Sequence, residues 1–562
     1  MFDLVVRGGL VVDGSGAAPV RADVGVQAGR IAAVGSIHDD AATVLDATDR
    51  VVSPGFIDIH THFDAQLSWD PYATPMLEHG VTTVVTGNCS LSLAPLHVHQ
   101  RARLSRMFGQ IEQLPQELFD GGVDWSWETF AEWIAARERH LGVNLAPLVG
   151  HSSLRMFIMG DGAHERAATD AEIASMQREL ASALAAGASG LSLSYVDVDE
   201  KGNPVPSRLA ARQEIERLCE TLGDAGAMLQ VVPEFWDAAL ICQRVDELAE
   251  LSIRNDIPTT FSPLIDQSPG LVEAVIAHLD TVLARGARVY PQVQPRGLDV
   301  NFRLCEWNFV LYRCSGWSRI LRMRDRDEQL GCYRDDQTRR RLVATAYPED
   351  DEQRRAQLET ARITAVGDES LAPLIGRSLD DIARERGCNP AEAMLDIAIA
   401  DRLETRFTKP PTSNQDRSLL VRTVAHPSVL VGASDAGAHV RGFSTYGDTA
   451  VMLSEFVRND RTLSLERAVE QITSVLAAAW NLPGRGLVRP GYGADLTIFD
   501  PDTIDRGPEL DVADMPSGCA RYLRGSVGVD ATVVNGHVAW TRRGGYSPAL
   551  AGTIASRRKP TP

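Results

Sequence analysis

The sequence predicts an α/β protein built on a (β/α)8 TIM barrel, with a small β-sandwich domain formed by both chain ends and a helical insertion before the last barrel strand. Three observations lead to this fold class. Strand patterns occupy both ends of the 562-residue chain. Between them, eight apolar strand patterns alternate with helical stretches, as in parallel α/β sheets. Eight such strands fit a closed barrel better than an open sheet, which usually has fewer.

The strand patterns at the two ends predict one shared domain. Residues 1–50 contain runs rich in β-branched residues, separated by Gly, Asp and Ala turns. Residues 485–550 repeat the pattern, and Asn535-Gly536 between two of their runs is a strong hairpin signal. We therefore expect 1–50 and 485–550 to form the β-sandwich domain.

The barrel is predicted over 51–484. Its candidate strands are 51–60, 82–86, 144–150, 190–194, 228–232, 258–262, 288–293 and 429–433. Helical patterns at 170–186 and 212–225 separate some of them. The long, charged interval 296–427, which precedes the last strand, predicts a helical insertion within the barrel.

Composition and charge argue against several partner classes. The chain has 56 Lys and Arg against 75 Asp and Glu, a formal net charge of −19. Nucleic acid and anionic membranes would repel so acidic a surface, so we expect neither as a partner. No apolar run reaches the ~18 residues of a membrane helix, and no secretory signal is visible. The eight cysteines fit free thiols in the cytoplasm, and self-association into a homo-oligomer is compatible with the sequence.

The sharpest local signal is His60-Thr61-His62, where an apolar strand ends. Residues i and i+2 of a strand point to the same side, so both imidazoles would face the barrel mouth. Two neutral imidazoles there can chelate one divalent cation. The alternative is a pair of histidines that cap the strand by hydrogen bonds.

Two other strand ends add candidate ligands. Cys89 follows the second strand and could supply a thiolate, although a free cysteine is usually a small buried thiol. Asp435 follows the last strand, where a carboxylate can bind a cation and exchange a proton with water; it could instead cap a helix. We predict His60, His62, Cys89 and Asp435 as metal ligands, and Asp435 as the catalytic residue.

These segments resemble the amidohydrolase superfamily and, within it, the N-acyl-D-amino-acid deacylases (D-aminoacylases). The resemblance covers almost the whole chain, and its most specific parts are Gly87-Asn88-Cys89 and Ser434-Asp435-Ala436-Gly437. It implies a β-sandwich made by both ends and a metal-dependent barrel. It also implies zinc held by residues 60, 62, 89 and 435, with residue 435 as acid/base.

The chain departs from this family on strands five and six. The superfamily takes one histidine from each, but here the strands read Met228-Leu229-Gln230-Val231-Val232 and Thr259-Thr260-Phe261-Ser262. Other amidohydrolases bridge two metals with a carboxylated lysine, yet the first lysine here, Lys201, comes after the fourth strand. We therefore expect one zinc ion rather than two. Gln230 and Glu234 are candidate replacements for the missing ligands.

A deacylase must also hold a carboxylate, and arginine forms bidentate contacts with carboxylates. Arg155, Arg208 and Arg441 follow strands or motif segments, and His151 follows the third strand. We name these four residues as candidate contacts to a small-molecule substrate. Each arginine could instead form a structural ion pair.

The sequence thus predicts a metal-dependent hydrolase of carbon–nitrogen bonds other than peptide bonds. Its expected reaction is deacylation of an N-acyl-D-amino acid or a related acyl-amino compound. A cyclic-amide (hydantoinase- or imidase-like) hydrolase and a metal-assisted decarboxylase are alternatives on the same scaffold. A small-molecule-binding protein that has lost hydrolysis is the alternative of another class.

Overall fold

The computed structural model describes residues 1–555. In this part of the chain the strands are β1 (Phe2–Val11), β2 (Val20–Gln27), β3 (Arg30–Gly35), β4 (Ala41–Asp46), β5 (Val51–Pro54), β6 (Phe56–Asp58), β7 (Val81–Thr86), β8 (Asn144–Gly150), β9 (Gly190–Ser194), β10 (Met228–Val232), β11 (Thr259–Phe261), β12 (Val289–Val293), β13 (Val300–Phe302), β14 (Arg362–Ala365), β15 (Arg406–Lys409), β16 (Leu430–Val431), β17 (Leu496–Phe499), β18 (Asp505–Val512), β19 (Arg521–Val527), β20 (Val529–Val534), β21 (His537–Thr541) and β22 (Gly545–Tyr546).

The α-helices of the same residues are α1 (Arg101–Ile111), α2 (Gln116–Gly122), α3 (Phe130–Arg137), α4 (His151–Met159), α5 (Asp170–Ala186), α6 (Arg212–Ala225), α7 (Ala238–Asn255), α8 (Leu271–Leu283), α9 (Trp317–Leu321), α10 (Arg326–Arg334), α11 (Asp336–Ala346), α12 (Glu352–Glu359), α13 (Leu379–Arg386), α14 (Pro390–Ala400), α15 (Arg417–Ala425), α16 (Asp448–Val451), α17 (Leu465–Gln471) and α18 (Ser474–Ala479). None of the helices within residues 1–555 has both the length and the apolar character of a membrane span.

The chain divides into two compact units. The first comprises Met1–Arg296, Asp416–His439 and the chain from Ser444 onward. The second comprises Gly297–Gln415 and Val440–Phe443. In the second unit, β13, β15 and β14 form a small antiparallel sheet, and helices α9 to α14 enclose a core that includes Trp317 and Phe407.

The central sheet of the first unit is parallel throughout and has the strand order β16-β12-β11-β10-β9-β8-β7-β6 among the described residues. Nearly every residue of these strands is buried, as expected for strands covered by helices on one face and packed inside a curled sheet on the other. Just beyond the two end strands, Thr61 forms a parallel bridge with Ala436, and His62 N donates to Ala436 O over 2.8 Å. The segments that follow the first and last strands therefore meet, and the curled sheet is consistent with a TIM-barrel-like domain.

Helix α5 shows how local sequence positions the surrounding helices. Thr169 accepts a hydrogen bond from Glu172 N, and Glu172 returns one to the Thr169 main chain, so the helix starts with a capping box. Gly187 ends it with a φ of 123°. The helices predicted at 170–186 and 212–225 are confirmed as α5 and α6.

Strands from both chain ends share a second sheet of this unit, in the order β22-β21-β20-β17-β5-β1-β2-β3, with β4 paired to β1. The sequence predicted one strand at 51–60, and this was wrong. Val51–Pro54 pairs with β17 in the shared sheet, whereas Phe56–Asp58 enters the barrel. Gly55 lies between the two strands. Only glycine fits there, because a Cβ would lie 2.2 Å from Thr82 Oγ1.

Candidate metal centre

Two histidines lie directly after β6, the first strand of the barrel. His60 and His62 are each 2% exposed. Burial lowers the pKa of His60 to about 4 and the pKa of His62 to about 3. Both imidazoles are therefore neutral at pH 7, which is the form that binds a metal cation.

Cys89 brings its sulfur to the same point from the loop after β7. Its Sγ lies 3.5 Å from His60 Nε2 and 3.9 Å from His62 Nε2. One ligand atom from each of these three residues lies within 4.8 Å of the others. The Asn88 side chain fixes the loop by donating to the carbonyl oxygens of Thr61 and Val85. Burial raises the pKa of the Cys89 thiol, so a nearby cation is what would favour the thiolate.

Asp435 completes the cluster from the segment after β16. Its Oδ1 lies 3.3 Å from His60 Nε2 and 3.6 Å from His62 Nε2. Its main-chain N donates to His60 O, which ties the ends of the first and last strands together. The Asp435 side chain is 26% exposed, so it reaches both the cluster and solvent. Two imidazoles, a sulfur and a carboxylate form a donor set suited to one zinc ion.

The Nδ1 atoms of His60 and His62, which are not the atoms nearest Cys89 and Asp435, lie close to different side chains. His60 Nδ1 lies 3.1 Å from Gln292 Oε1, and the Gln292 amide donates to Thr260 Oγ1. His62 Nδ1 lies 3.4 Å from Oε1 of Glu112, a buried residue that follows α1. Sequence reasoning missed both partners. Gln292 could have been found as the polar residue of the buried strand β12, but Glu112 belongs to no motif.

Two buried aspartates hold the surrounding loops. Ser434 Oγ donates to Asp58 Oδ2 over 2.7 Å, and Gly87 N donates to Asp64 Oδ2 over 3.2 Å. Burial raises the pKa of each aspartate to about 7. Asp58 thus connects the first strand to the Asp435 segment, and Asp64 connects it to the Cys89 loop.

Strands β10 and β11 supply neutral groups where the superfamily pattern has histidines. Gln230 is fully buried, and neither of its amide atoms has a hydrogen-bond partner among residues 1–555. Thr260 Oγ1 donates to Tyr290 O. Glu234, the other candidate replacement ligand, is engaged by Arg244 through two hydrogen bonds of 3.0 and 3.1 Å.

His151 and Arg155 lie in a separate buried cluster. Glu214 is 2.8 Å from His151 Nε2 and forms an ion pair with Arg155, and the side chains of all three are fully buried. Neither predicted residue has an exposed atom to offer a substrate. Glu214 on α6 already engages the groups of both residues that a substrate carboxylate would need.

The other two predicted arginines have different surroundings. Arg208 is exposed and donates from Nη1 to the main-chain oxygens of Val196 and Asp197, over 3.1 and 3.2 Å. Arg441 belongs to the second unit, where its Nε lies 3.3 Å from Glu306 Oε2. Arg208 thus contacts neutral carbonyls, whereas Arg441 contacts a carboxylate.

Comparison with known proteins finds similarity along nearly the whole chain. Residues 43–227 and 318–539 match the Amidohydrolase family. The chain is 30% identical to D-aminoacylase of Alcaligenes xylosoxydans xylosoxydans, over 99% of this chain and 98% of that protein. It is similar to a solved D-aminoacylase structure concerned with one-metal activation and second-metal attenuation of a binuclear metal center (27% identity, 98% and 99% coverage, TM-score 0.64). It is also similar to N-acyl-D-glutamate deacylase from Bordetella bronchiseptica, complexed with zinc and a phosphonate inhibitor (26% identity, 99% and 100% coverage, TM-score 0.67).

Proposed function

This chain belongs to the amidohydrolase family, and on that premise we propose that it hydrolyses the linear amide of an N-acyl-D-amino acid or a related acyl-amino compound. The observation that carries the proposal is the convergence of His60, His62 and Cys89 within 4.8 Å, beside Asp435. Relatives that align along nearly the whole chain include a D-aminoacylase and an N-acyl-D-glutamate deacylase, which supports this substrate class.

We propose one zinc ion, held by His60, His62, Cys89 and Asp435. A bound zinc ion would polarise the substrate carbonyl and make water a better nucleophile at neutral pH. Among the described residues, only the first three form a group of at least three His, Cys, Asp or Glu ligands close enough to share an ion. The neutral groups on β10 and β11 support a single ion rather than two.

Asp435 is the proposed acid/base. Water attacks the acyl carbonyl carbon while the Asp435 carboxylate accepts a proton from it. Asp435 then passes the proton to the amide nitrogen as the carbon–nitrogen bond breaks, which releases a carboxylic acid and an amine. Its partial exposure and its distances of 3.3 and 3.6 Å from the two histidines support this assignment.

Arg208 is the proposed contact to the substrate carboxylate. It is exposed and donates to the main-chain oxygen of Asp197. Burial raises the pKa of Asp197 to about 6, while the charge of Arg208 lowers this pKa and that of Asp435 raises it, so Asp197 interacts electrostatically with both residues. Arginine suits a carboxylate because its planar guanidinium can donate two parallel hydrogen bonds. His151, Arg155 and Arg441 are not part of this proposal because carboxylates of the protein already engage them.

The architecture that we propose is a complete (β/α)8 barrel over 51–484, a β-sandwich domain from 1–50 and 485–550, and a helical insertion at 296–427. The shared sheet of strands from both chain ends and the separate unit around Gly297–Gln415 support this division. We propose the cytoplasm as its compartment, since all eight cysteines are free.

The test combines metal analysis with a substrate screen. We expect about one zinc ion per purified chain, and amine release from N-acyl-D-amino acids but not from their L forms. The double variant His60→Ala/His62→Ala should lose both zinc and activity. Asp435→Asn should retain zinc through the other ligands and lose activity on the order of 10²–10⁴-fold, because the proton carrier is gone.

The chain offers a matched control in a second His-x-His segment, His97-Val98-His99, where His97 pairs with Glu128 at the surface. The double variant His97→Ala/His99→Ala should keep zinc content and activity. Wild-type protein that binds no zinc when zinc is supplied, or that releases no amine from any acyl-amino substrate while zinc is bound, would refute the proposal.

A further inference from the structure

We propose that Glu112 is a positioning residue of the metal centre, which orients His62 through its Nδ1 and holds the Asp435 segment against it. This inference rests on the proposed function, because it assigns a role toward the zinc ion proposed above. Glu112 is the first residue after α1 and is 2% exposed. A buried carboxyl group is costly unless specific partners compensate it.

The partners of Glu112 point to the metal centre. Within residues 1–555, the Glu112 side chain faces two histidines. Oε1 lies 3.4 Å from His62 Nδ1, and Oε2 lies 4.0 Å from His439 Nε2.

The position of Glu112 beside His62 Nδ1 determines which nitrogen of His62 is free to bind the metal ion. A neutral imidazole carries one proton, so one nitrogen donates and the other offers a lone pair. Nε2 faces the cluster, 3.9 Å from Cys89 Sγ and 3.6 Å from Asp435 Oδ1. At 3.4 Å, neither His62 Nδ1 nor Glu112 Oε1 has a hydrogen-bond partner among residues 1–555. A hydrogen bond between them, formed when the cation binds, would keep the proton on Nδ1 and the Nε2 lone pair directed at the cation, which is the usual arrangement of a histidine ligand and its outer partner.

Glu112 also holds the opposite side of the cluster through its main chain. His439 N donates to Glu112 O over 2.6 Å, and Ala438 N donates to Asp435 O over 3.0 Å. The turn that carries Asp435 is therefore anchored to the same residue that faces His62. This fixes two ligands, from the first and last strands, relative to each other.

The experiment measures metal binding directly, without substrate. Zinc affinity is determined by competition with a chromogenic chelator, and the absorption spectrum of cobalt(II)-substituted protein reports ligand geometry. For Glu112→Ala we expect zinc to bind about 10–100-fold more weakly, with an altered cobalt spectrum. Glu112→Gln should lose much less zinc affinity than Glu112→Ala and keep the spectrum, because an amide oxygen can also accept a hydrogen bond from Nδ1.

Two further variants keep the test decisive. Glu112→Met fills the same space without an acceptor, and it replaces the alanine variant if thermal unfolding shows that variant to be unfolded. Glu128→Ala is the matched control, since it removes the carboxylate partner of surface-exposed His97, and its zinc affinity should equal that of wild type.

The outcomes separate this inference from the proposed function. If wild-type protein binds neither zinc nor cobalt, the proposed function itself fails. If wild type binds zinc and a folded Glu112→Ala or Glu112→Met protein binds it equally well, only the role of Glu112 is overturned. A Glu112→Gln variant as weak as the alanine variant would overturn it as well, because accepting a hydrogen bond would then not be what matters.

Discussion

Two buried histidine–carboxylate clusters in the first unit differ in how their charges are balanced. Around Glu214, the carboxylate contacts His151 and Arg155, and Arg155 also donates to Arg166 O over 2.7 Å. Around His60 and His62, Asp435 and Glu112 are the carboxylates, and among residues 1–555 neither forms an ion pair with arginine or lysine.

The difference shows what each cluster can do. An internal arginine balances the Glu214 carboxylate, so that cluster is complete and serves the fold. The other cluster contains donor atoms that converge and carboxylates that face only neutral imidazoles. A divalent cation would supply the positive charge that this arrangement lacks. Charge balance, rather than the presence of histidine, therefore separates a structural cluster from a candidate site.

The largest expected effect tests the structural half of the comparison. Glu214→Gln leaves the Arg155 guanidinium buried without its carboxylate, and we expect the free energy of unfolding to fall by about 3–5 kcal/mol. Denaturant titration followed by circular dichroism measures this loss. Zinc affinity of the folded protein should not change.

Glu216→Gln is the control on the same helix. Glu216 pairs with Arg212, whose side chain is 61% exposed, so the loss should be at most about 1 kcal/mol. The comparison would break if Glu214→Gln weakened zinc binding in the folded protein while its stability stayed at the wild-type value.

A smaller effect comes from another buried histidine, His79, which contacts no carboxylate among residues 1–555. His79 is fully buried and donates from Nε2 to Arg524 O over 2.9 Å, and burial lowers its pKa to about 4. Below pH 6.5 the unfolded chain binds a proton at this position that the folded protein does not, so stability falls as the pH falls. From pH 8 to pH 5 this group alone should remove about 2 kcal/mol from the free energy of unfolding.

His79→Gln isolates this contribution, because glutamine can still donate to the Arg524 carbonyl but does not titrate. Its free energy of unfolding should be less dependent on pH than that of wild type, by the same 2 kcal/mol or so between pH 8 and pH 5. Equal pH dependence in the two proteins would show that burial does not hold His79 neutral.

The same contrast explains what the sequence could predict. His60, His62, Cys89 and Asp435 all follow barrel strands, and parallel strands bring their ends to one edge, so local pattern and strand order were enough to bring them together. His151 also follows a strand, yet the residue that engages it, Glu214, lies 63 positions later on α6. Burial and pairing at that range are not visible in a local pattern.

Two other differences between the sequence-based prediction and the structure also arise from contacts between distant segments. Glu112 reaches the centre only because the segment after α1 folds over it, which no motif reports. The strand predicted at 51–60 reads as one apolar run, yet 51–54 pairs with β17 and 56–58 with β7, and the residue between them, Gly55, lies too close to Thr82 for a side chain. Local periodicity thus found the elements, whereas side-chain proximity between distant segments decided how they are used.

The smallest expected effect sharpens the comparison at the level of two arginines. Arg155 is fully buried against Glu214, whereas Arg208 is exposed and contacts only carbonyl oxygens. If Arg208 holds the substrate carboxylate, Arg208→Ala should raise KM about tenfold with little change in kcat, because a charge-assisted hydrogen bond to bound substrate is lost. Arg208→Lys should recover part of this loss, since lysine keeps the charge but not the two parallel donors. Arg212→Ala, at another exposed arginine, should leave KM unchanged. A KM equal to that of wild type in Arg208→Ala would mean that the carboxylate is held elsewhere. Exposure and hydrogen bonds to main-chain oxygens would then not be enough to identify a substrate contact.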